Sequence, residues 1–288
     1  MSVHQNPTYT DAYVRLALLY SRYLDQSKRG AHYARQAEIA RRRLEEFRSN
    51  LDAAATDPEK ATEDQTGKLA EIPVIESRLT LPDLPLDESM VIVSGLPRSG
   101  TSMMMQMLQQ GGLPVLADDH RPSDPSNPRG YLEFEKAKAL KNDRTWLAES
   151  KGKAVKLVAQ LLPFLPPGLE GADSPSEDCP YRIIFMQRPF EEVIASQNRM
   201  LEHQKPDMKK GGLSDDRLAS VFARQLERIA ELLKSRGIPT LVVSYHEALK
   251  DPVTTARNVN HFLGRPMDEE EMAKAVEPSL HRERSDDS

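Results

Sequence analysis

Three features of the sequence predict an α/β fold with a parallel sheet. Short apolar runs rich in β-branched residues, at 90–93, 154–158, 181–186 and 240–244, alternate with stretches of helical periodicity. The first run enters a loop bounded by Gly95 and Gly100, and an apolar helix follows that stops at Gly111-Gly112. The chain has 288 residues, enough for one sizeable domain and an appendage. The predicted organisation is a helical hairpin over 1–51, a linker over 52–87 and a three-layer α/β/α domain over 88–288.

The hairpin rests on apolar spacing. Tyr9, Tyr13, Leu16, Tyr20 and Tyr23 follow one helical face, and Tyr33, Ala37, Ala40, Leu44, Phe47 and Leu51 follow another, with Gly30 near the break. Its arginine-rich polar face reads as solvated, and the pair offers a surface for homo-oligomer formation. Residues 52–70 carry Ala, Asp, Glu, Thr and Lys without periodicity, and 73–85 read as an extended approach to the first strand.

The loop Gly95-Leu96-Pro97-Arg98-Ser99-Gly100 followed by Thr101-Ser102 turns backbone N–H groups and the positive end of a helix dipole toward one point, an anion cradle. A nucleoside triphosphatase loop reads G-x-x-x-x-G-K-[ST]. Here the glycine spacing is kept, Thr101 stands in the lysine's place, and the cation lies inside the loop as Arg98. A site without that lysine suits a less charged group transferred without a metal.

Leu96-Pro97-Arg98-Ser99-Gly100-Thr101-Ser102 resembles the 5′-phosphosulfate loop of the sulfotransferases that use PAPS (3′-phosphoadenosine 5′-phosphosulfate). The resemblance spans about 90–265 and implies a sheet of the P-loop and sulfotransferase type. It also implies PAPS as donor, with PAP as product. Arg98, Ser99, Gly100, Thr101 and Ser102 would then hold the phosphosulfate.

Further along, Arg188 and Ser196 are eight apart, at a strand end and about two turns into a helix. Both can converge on one anion near the carboxyl ends of the strands. This spacing is similar to the family's R-x7-S site for the 3′-phosphate, although the proline follows the arginine at once. The plainer role for Arg188 is an ion pair with Glu191 or Glu192. Residues 245–252, beginning Tyr245-His246-Glu247, resemble the family's Y-E-D-x-x-x-x-P turn, in which the tyrosine lies near the adenine. The family's R-K-G loop has no counterpart unless Arg282 and Arg284 supply it.

Candidates for the transfer chemistry sit between these motifs. A long polar loop holds Asp119, His120 and a run, Asn127-Pro128-Arg129-Gly130-Tyr131-Leu132-Glu133, that resembles the N-P-x-G-Y-x-E segment of bacterial sulfotransferase-like proteins. Glu133 at its end is the first choice of base for the acceptor, with Asp119 and His120 behind it; its plainer role is the first-turn dipole of a helix expected over 134–149. Lys156, one lysine within an apolar strand, resembles the lysine of cytosolic sulfotransferases. The family's catalytic histidine two residues later is here Val158. Catalytic roles thus fall to Glu133, Lys156 and Arg98, and every other histidine, His246 and His261 included, reads as packing or surface.

Bulk properties exclude several classes. The 39 basic and 44 acidic residues leave no basic excess for a nucleic-acid partner. One cysteine, Cys179, leaves no internal disulfide and no thiolate pair for zinc, so no metal is expected. No apolar run approaches the ~20 residues of a membrane span, and the reading is a cytoplasmic enzyme without a membrane partner. The expected activity is sulfuryl transfer from PAPS to a small-molecule or glycan acceptor. A nucleotide-dependent kinase and a degenerate binding domain are the alternatives.

Overall fold

The computed structural model describes residues 72–80, 84–118, 131–169, 180–204 and 214–276. The chain divides into two compact units, 1–70 with 208–221 and 71–207 with 222–288. The described part of the first, 214–221, contains the opening turns of a long helix. The expected hairpin over 1–51 lies outside the described residues, as do Asp119, His120, Cys179, Arg282 and Arg284.

The second unit is built on four parallel strands in the order β2-β1-β3-β4. They are β1 (Met90–Gly95), β2 (Ala154–Lys156), β3 (Tyr181–Gln187) and β4 (Thr240–Ser244). All six residues of β1 are buried, as befits a central strand covered on both faces. Helices lie on both sides of the sheet: α1 (Thr101–Gln110), α2 (Glu135–Lys138), α3 (Phe190–Gln204), α4 (Asp215–Ser235), α5 (Tyr245–Lys250), α6 (Pro252–Leu263) and α7 (Glu269–Lys274).

One core explains the sheet's first covering layer. Val91, Val93, Ile184, Met186 and Val243 share one face and cluster with Met104, Met107 and Leu108 of α1, Val259 and Phe262 of α6, and Met272 of α7. The alternation of strand side chains turns Ile92, Ile183 and Phe185 to the opposite face, where they are equally buried. There Phe190 of α3 meets Phe222 of α4 with ring centroids 6.1 Å apart. Burying a side chain of this size contributes roughly 1.5–3 kcal/mol.

Several elements differ from the sequence expectation for local reasons. The helix expected over 134–149 is an α-helix only at Glu135–Lys138, with a 3-10 turn at Leu147–Ser150. Directly past Lys138 the backbone bonds reach back only three residues, Ala139 N–H to the Lys136 carbonyl at 3.0 Å and Leu140 N–H to the Ala137 carbonyl at 3.3 Å. Further on, the Asp143 carboxylate accepts from the N–H and the hydroxyl of Thr145 at 3.0 and 2.7 Å, a local bond that competes with helix. Residues 114–116 contribute only a single bridge, Val115 to Ala154. Residues 245–252, read as a turn, contain the helix α5, whose first turn is capped by Ser244. Helix α6 begins at Pro252, directly after that segment, with the Asp251 carboxylate accepting from Thr254 N–H at 2.9 Å. The approach segment is tied to the free edge of β4: Arg78 and Thr240 exchange backbone hydrogen bonds of 2.7 and 2.9 Å.

Parallel strands place all their carboxyl ends at one edge. Register then decides what gathers there. Val93 pairs with Lys156, Gly95 with Met186, and Gln187 with Ser244. Lys156, the glycine loop, Arg188 and Tyr245 therefore leave the sheet side by side.

Candidate active site

The loop between β1 and α1 is shaped by two glycines. Gly95 has φ 152°, and a Cβ there would stand 2.6 Å from the Met186 carbonyl oxygen. Gly100 has φ 99°, and its Cβ would meet the Tyr245 ring at 2.5 Å. Between them Arg98 holds φ 72°, a left-handed conformation that costs a non-glycine residue on the order of 1 kcal/mol. The surroundings hold it there: its Nε donates to Ser196 Oγ at 3.0 Å, and its carbonyl accepts from Arg188 Nη1 at 3.2 Å.

Most of the loop's backbone donors meet no acceptor among the described residues, Ser99 N–H, which donates to the Leu96 carbonyl at 3.1 Å, being the exception. No side chain caps α1 at Gly100. Among the described residues, the N–H groups of Arg98, Gly100, Thr101 and Ser102 have no hydrogen-bond partner, which leaves the positive end of the helix open to an anion. Ser99 Oγ is buried within the same loop and also lacks a partner among the described residues. A phosphosulfate oxygen set fits such a lining, because it supplies acceptors only. Thr101 stands half-buried at the first position of α1.

Lys156 reaches this loop from β2. Its ammonium donates to Ser102 Oγ at 3.2 Å and to the Tyr131 carbonyl at 2.5 Å, and lies 3.3 Å from Glu133 Oε1. It also stands 5.6 Å from the Tyr131 ring centroid. A buried ammonium needs such partners, since an unpaired one would shed its proton. Glu133 is shared: its Oε2 lies 3.4 Å from Lys138 Nζ. Glu133 precedes α2 without capping it. The first turn of that helix is instead held by Asp118, whose Oδ2 accepts from Glu135 N–H at 2.6 Å. Lys138 has no motif to mark it in the sequence beyond its helical proximity to Glu135.

Arg188 enters from the end of β3. Its Nε donates to Glu192 Oε2 at 2.8 Å, one turn along α3, and its guanidinium stacks 4.3 Å from the Tyr245 ring centroid. Glu192 Oε1 in turn lies 2.8 Å from His246 Nε2. Burial pushes the Glu192 carboxyl up, but hydrogen bonds from Arg188 and His246, and their charges, outweigh it and hold the group at about 2. Burial raises the Tyr245 hydroxyl; Arg188 opposes that rise and Glu192 adds to it.

The structure therefore gathers Arg98, Ser99, Gly100, Thr101, Ser102, Glu133, Lys156, Arg188, Ser196 and Tyr245 at one sheet edge. The glycine loop and the Arg188 cluster are not independent, because Arg188 touches the Arg98 carbonyl and Arg98 touches Ser196. The carboxylate on Arg188 is Glu192, while Glu191 is exposed. His246 does not behave as a bare surface histidine: it completes the Arg188–Glu192 chain from α5. Its signal in the sequence is its place directly after Tyr245, and that of Glu192 is its i+4 spacing from Arg188.

No protein-family model matches the chain, and no curated protein does. Solved structures do. The chain is similar to the sulfotransferase STF1 from Mycobacterium tuberculosis, with 16% identity over 65% of this chain and 70% of that one, at a TM-score of 0.43. It is similar to mouse sulfotransferase SULT7A1 complexed with PAP, with 16% identity over 67% and 64% of the two chains and a TM-score of 0.37. It is also similar to the sulfotransferase domain of the Synechococcus olefin synthase, with 16% identity over 72% and 87% of the two chains and a TM-score of 0.38.

Among the described residues, no cluster of three or more His, Cys, Asp or Glu side chains could hold a metal ion, and no helix is long and apolar enough to cross a membrane.

Proposed function

We propose that this chain is a sulfotransferase that moves the sulfuryl group of PAPS to a hydroxyl or amine of an acceptor. The observation that carries the reading is a set of donors without partners among the described residues, the N–H groups of Arg98, Gly100, Thr101 and Ser102 and the Ser99 hydroxyl, set between two paired cations, Lys156 and Arg188. PAPS, when bound, supplies an activated sulfuryl group. The loop N–H groups and Ser99 would hold its 5′ end, and Arg188 with Ser196 its 3′-phosphate.

Sulfuryl transfer resembles phosphoryl transfer in that positioning and charge stabilisation dominate. Charge grows on the oxygen bridging to the leaving phosphate, and fixed donors at the loop offset it without reorganisation. Lys156 beside Ser102 and Arg98 within the loop are the cations for that task. Glu133, next to Lys156, is the acceptor's base in this reading; Tyr245 against Gly100 offers a ring for the adenine.

A second reading, a domain that binds the nucleotide without turnover, is favoured by one observation. Both oxygens of Glu133 face ammonium groups, Lys156 and Lys138, which leaves the carboxylate engaged before any acceptor arrives.

Titration with PAP tests the nucleotide site. Binding to the folded form raises the melting temperature by mass action. Arg98→Ala and Arg188→Ala, compared at a temperature where each variant is folded, weaken PAP by roughly tenfold or more each, as loss of a charge-assisted contact should. Failure of PAP to stabilise the wild type overturns the proposal. PAP binding without sulfate transfer from PAPS to a panel of phenols, amines and sugars selects the second reading.

A further inference from the structure

Arg188 has a fixed supply of donors. Nε is spent on Glu192 Oε2 and Nη1 on the Arg98 carbonyl, so Nη2 is the amine with no partner among the described residues. Whether that amine can serve a phosphate depends on how much of its charge Glu192 cancels and on whether the planar group stays in place. A carboxylate free to swing would take two N–H groups of the guanidinium at once, the preferred bidentate geometry. It would then consume Nη2.

His246 prevents that. It holds Glu192 Oε1 at 2.8 Å from a different element, while Oε2 contacts Arg188. Glu192 is 3% exposed, so bulk water does not compete for its oxygens, whereas the histidine side chain is 40% exposed and can adjust. The carboxylate is held between two donors, and Arg188 Cζ lies over the Tyr245 ring, 4.3 Å from its centroid. Charged and titratable groups among the described residues that face the histidine include Glu192 on α3, which it contacts and which pairs with Arg188, and Tyr245 on α5, with ring centroids 6.1 Å apart.

We propose that His246 is a positioning residue that sets specificity for a 3′-phosphorylated nucleotide, by tying Glu192 Oε1 so that Arg188 keeps Nη2 for the 3′-phosphate. The proposal rests on the PAPS reading and adds to it a residue outside the motif pattern, since the resembling turn has glutamate where this chain has His246.

The test compares two probes, PAP and adenosine 5′-monophosphate, which share the 5′ end and differ in the 3′-phosphate. Dissociation constants are measured calorimetrically for the wild type, His246→Ala and His246→Gln. The wild type binds PAP more tightly than adenosine 5′-monophosphate. His246→Ala reduces that preference by about tenfold, with affinity for adenosine 5′-monophosphate unchanged. Glutamine, whose amide N–H reaches the same place, restores most of it. Thermal melting without ligand accompanies each variant, so that loss of the fold is not read as loss of preference. Undiminished preference in a folded His246→Ala overturns this inference alone, as does failure of glutamine to restore it. A wild type with no preference for PAP overturns this inference and the nucleotide reading together.

Discussion

At the Gly95–Ser102 loop the groups offered to a ligand are mostly backbone N–H groups, whereas around Arg188 they are side chains brought from three elements. The first end depends on φ values that glycine alone adopts at low cost, and on close approach of Gly100 to the Tyr245 ring. The second depends on a buried charge chain, Arg188–Glu192–His246, in which each member satisfies the next. A backbone device fails when one methyl is added. A side-chain device survives an isosteric change but responds to pH.

The sharpest way to break the first end is Gly100→Ala. The new Cβ would overlap the Tyr245 ring in a backbone conformation already unfavourable to it, at a cost of about 3 kcal/mol from strain and overpacking together. Urea denaturation should register that loss, and PAP should no longer raise the melting temperature. An unaltered denaturation midpoint with PAP binding intact would show that the loop is not held against Tyr245.

Next in size is Lys156→Met, which keeps the stem and removes the ammonium beside Ser102. Turnover with PAPS should fall about a hundredfold, as on removal of one transition-state donor, while PAP affinity changes far less. Equal losses in both would place Lys156 with ground-state binding instead.

The smallest effect sharpens the second end. Glu192 is lowered from the ordinary 4.5 to about 2, so the unfolded chain takes up a proton before the folded one does as the pH falls. Its contribution to stability is whole above about pH 4.5 and is lost as the pH descends toward 2. Stability measured across that interval should decline less steeply in Glu192→Gln than in the wild type. Parallel curves would mean that the carboxylate gains nothing from Arg188 and His246.

Much of the fold is legible in the sequence because strand and helix periods are local. The run Thr240–Ser244 is readable from its apolar, β-branched composition, and the loop from its two glycines. Where the backbone turns tighten, periodicity misleads: the helix expected over 134–149 stops at Lys138, and Ala139 and Leu140 bond back only three residues, to Lys136 and Ala137. The start of α6 at Asp251-Pro252 carries its own sequence signal, a cap followed by a proline at the first helical position.

Sequence by itself determined the turn between β1 and α1, because glycine spacing and an uncapped helix start are properties of neighbouring residues. It also named Lys156, Arg188 and Ser196, whose places follow from strand ends and one helix. The tertiary structure alone decided what those residues touch. Register between parallel strands set Lys156 beside Ser102 and Tyr245 beside Gly100, and helix packing brought His246 onto Glu192. The bonds of Lys156 to Ser102 and of His246 to Glu192 each span 54 positions of the chain, a separation at which only the folded sheet, and no local propensity, fixes distance.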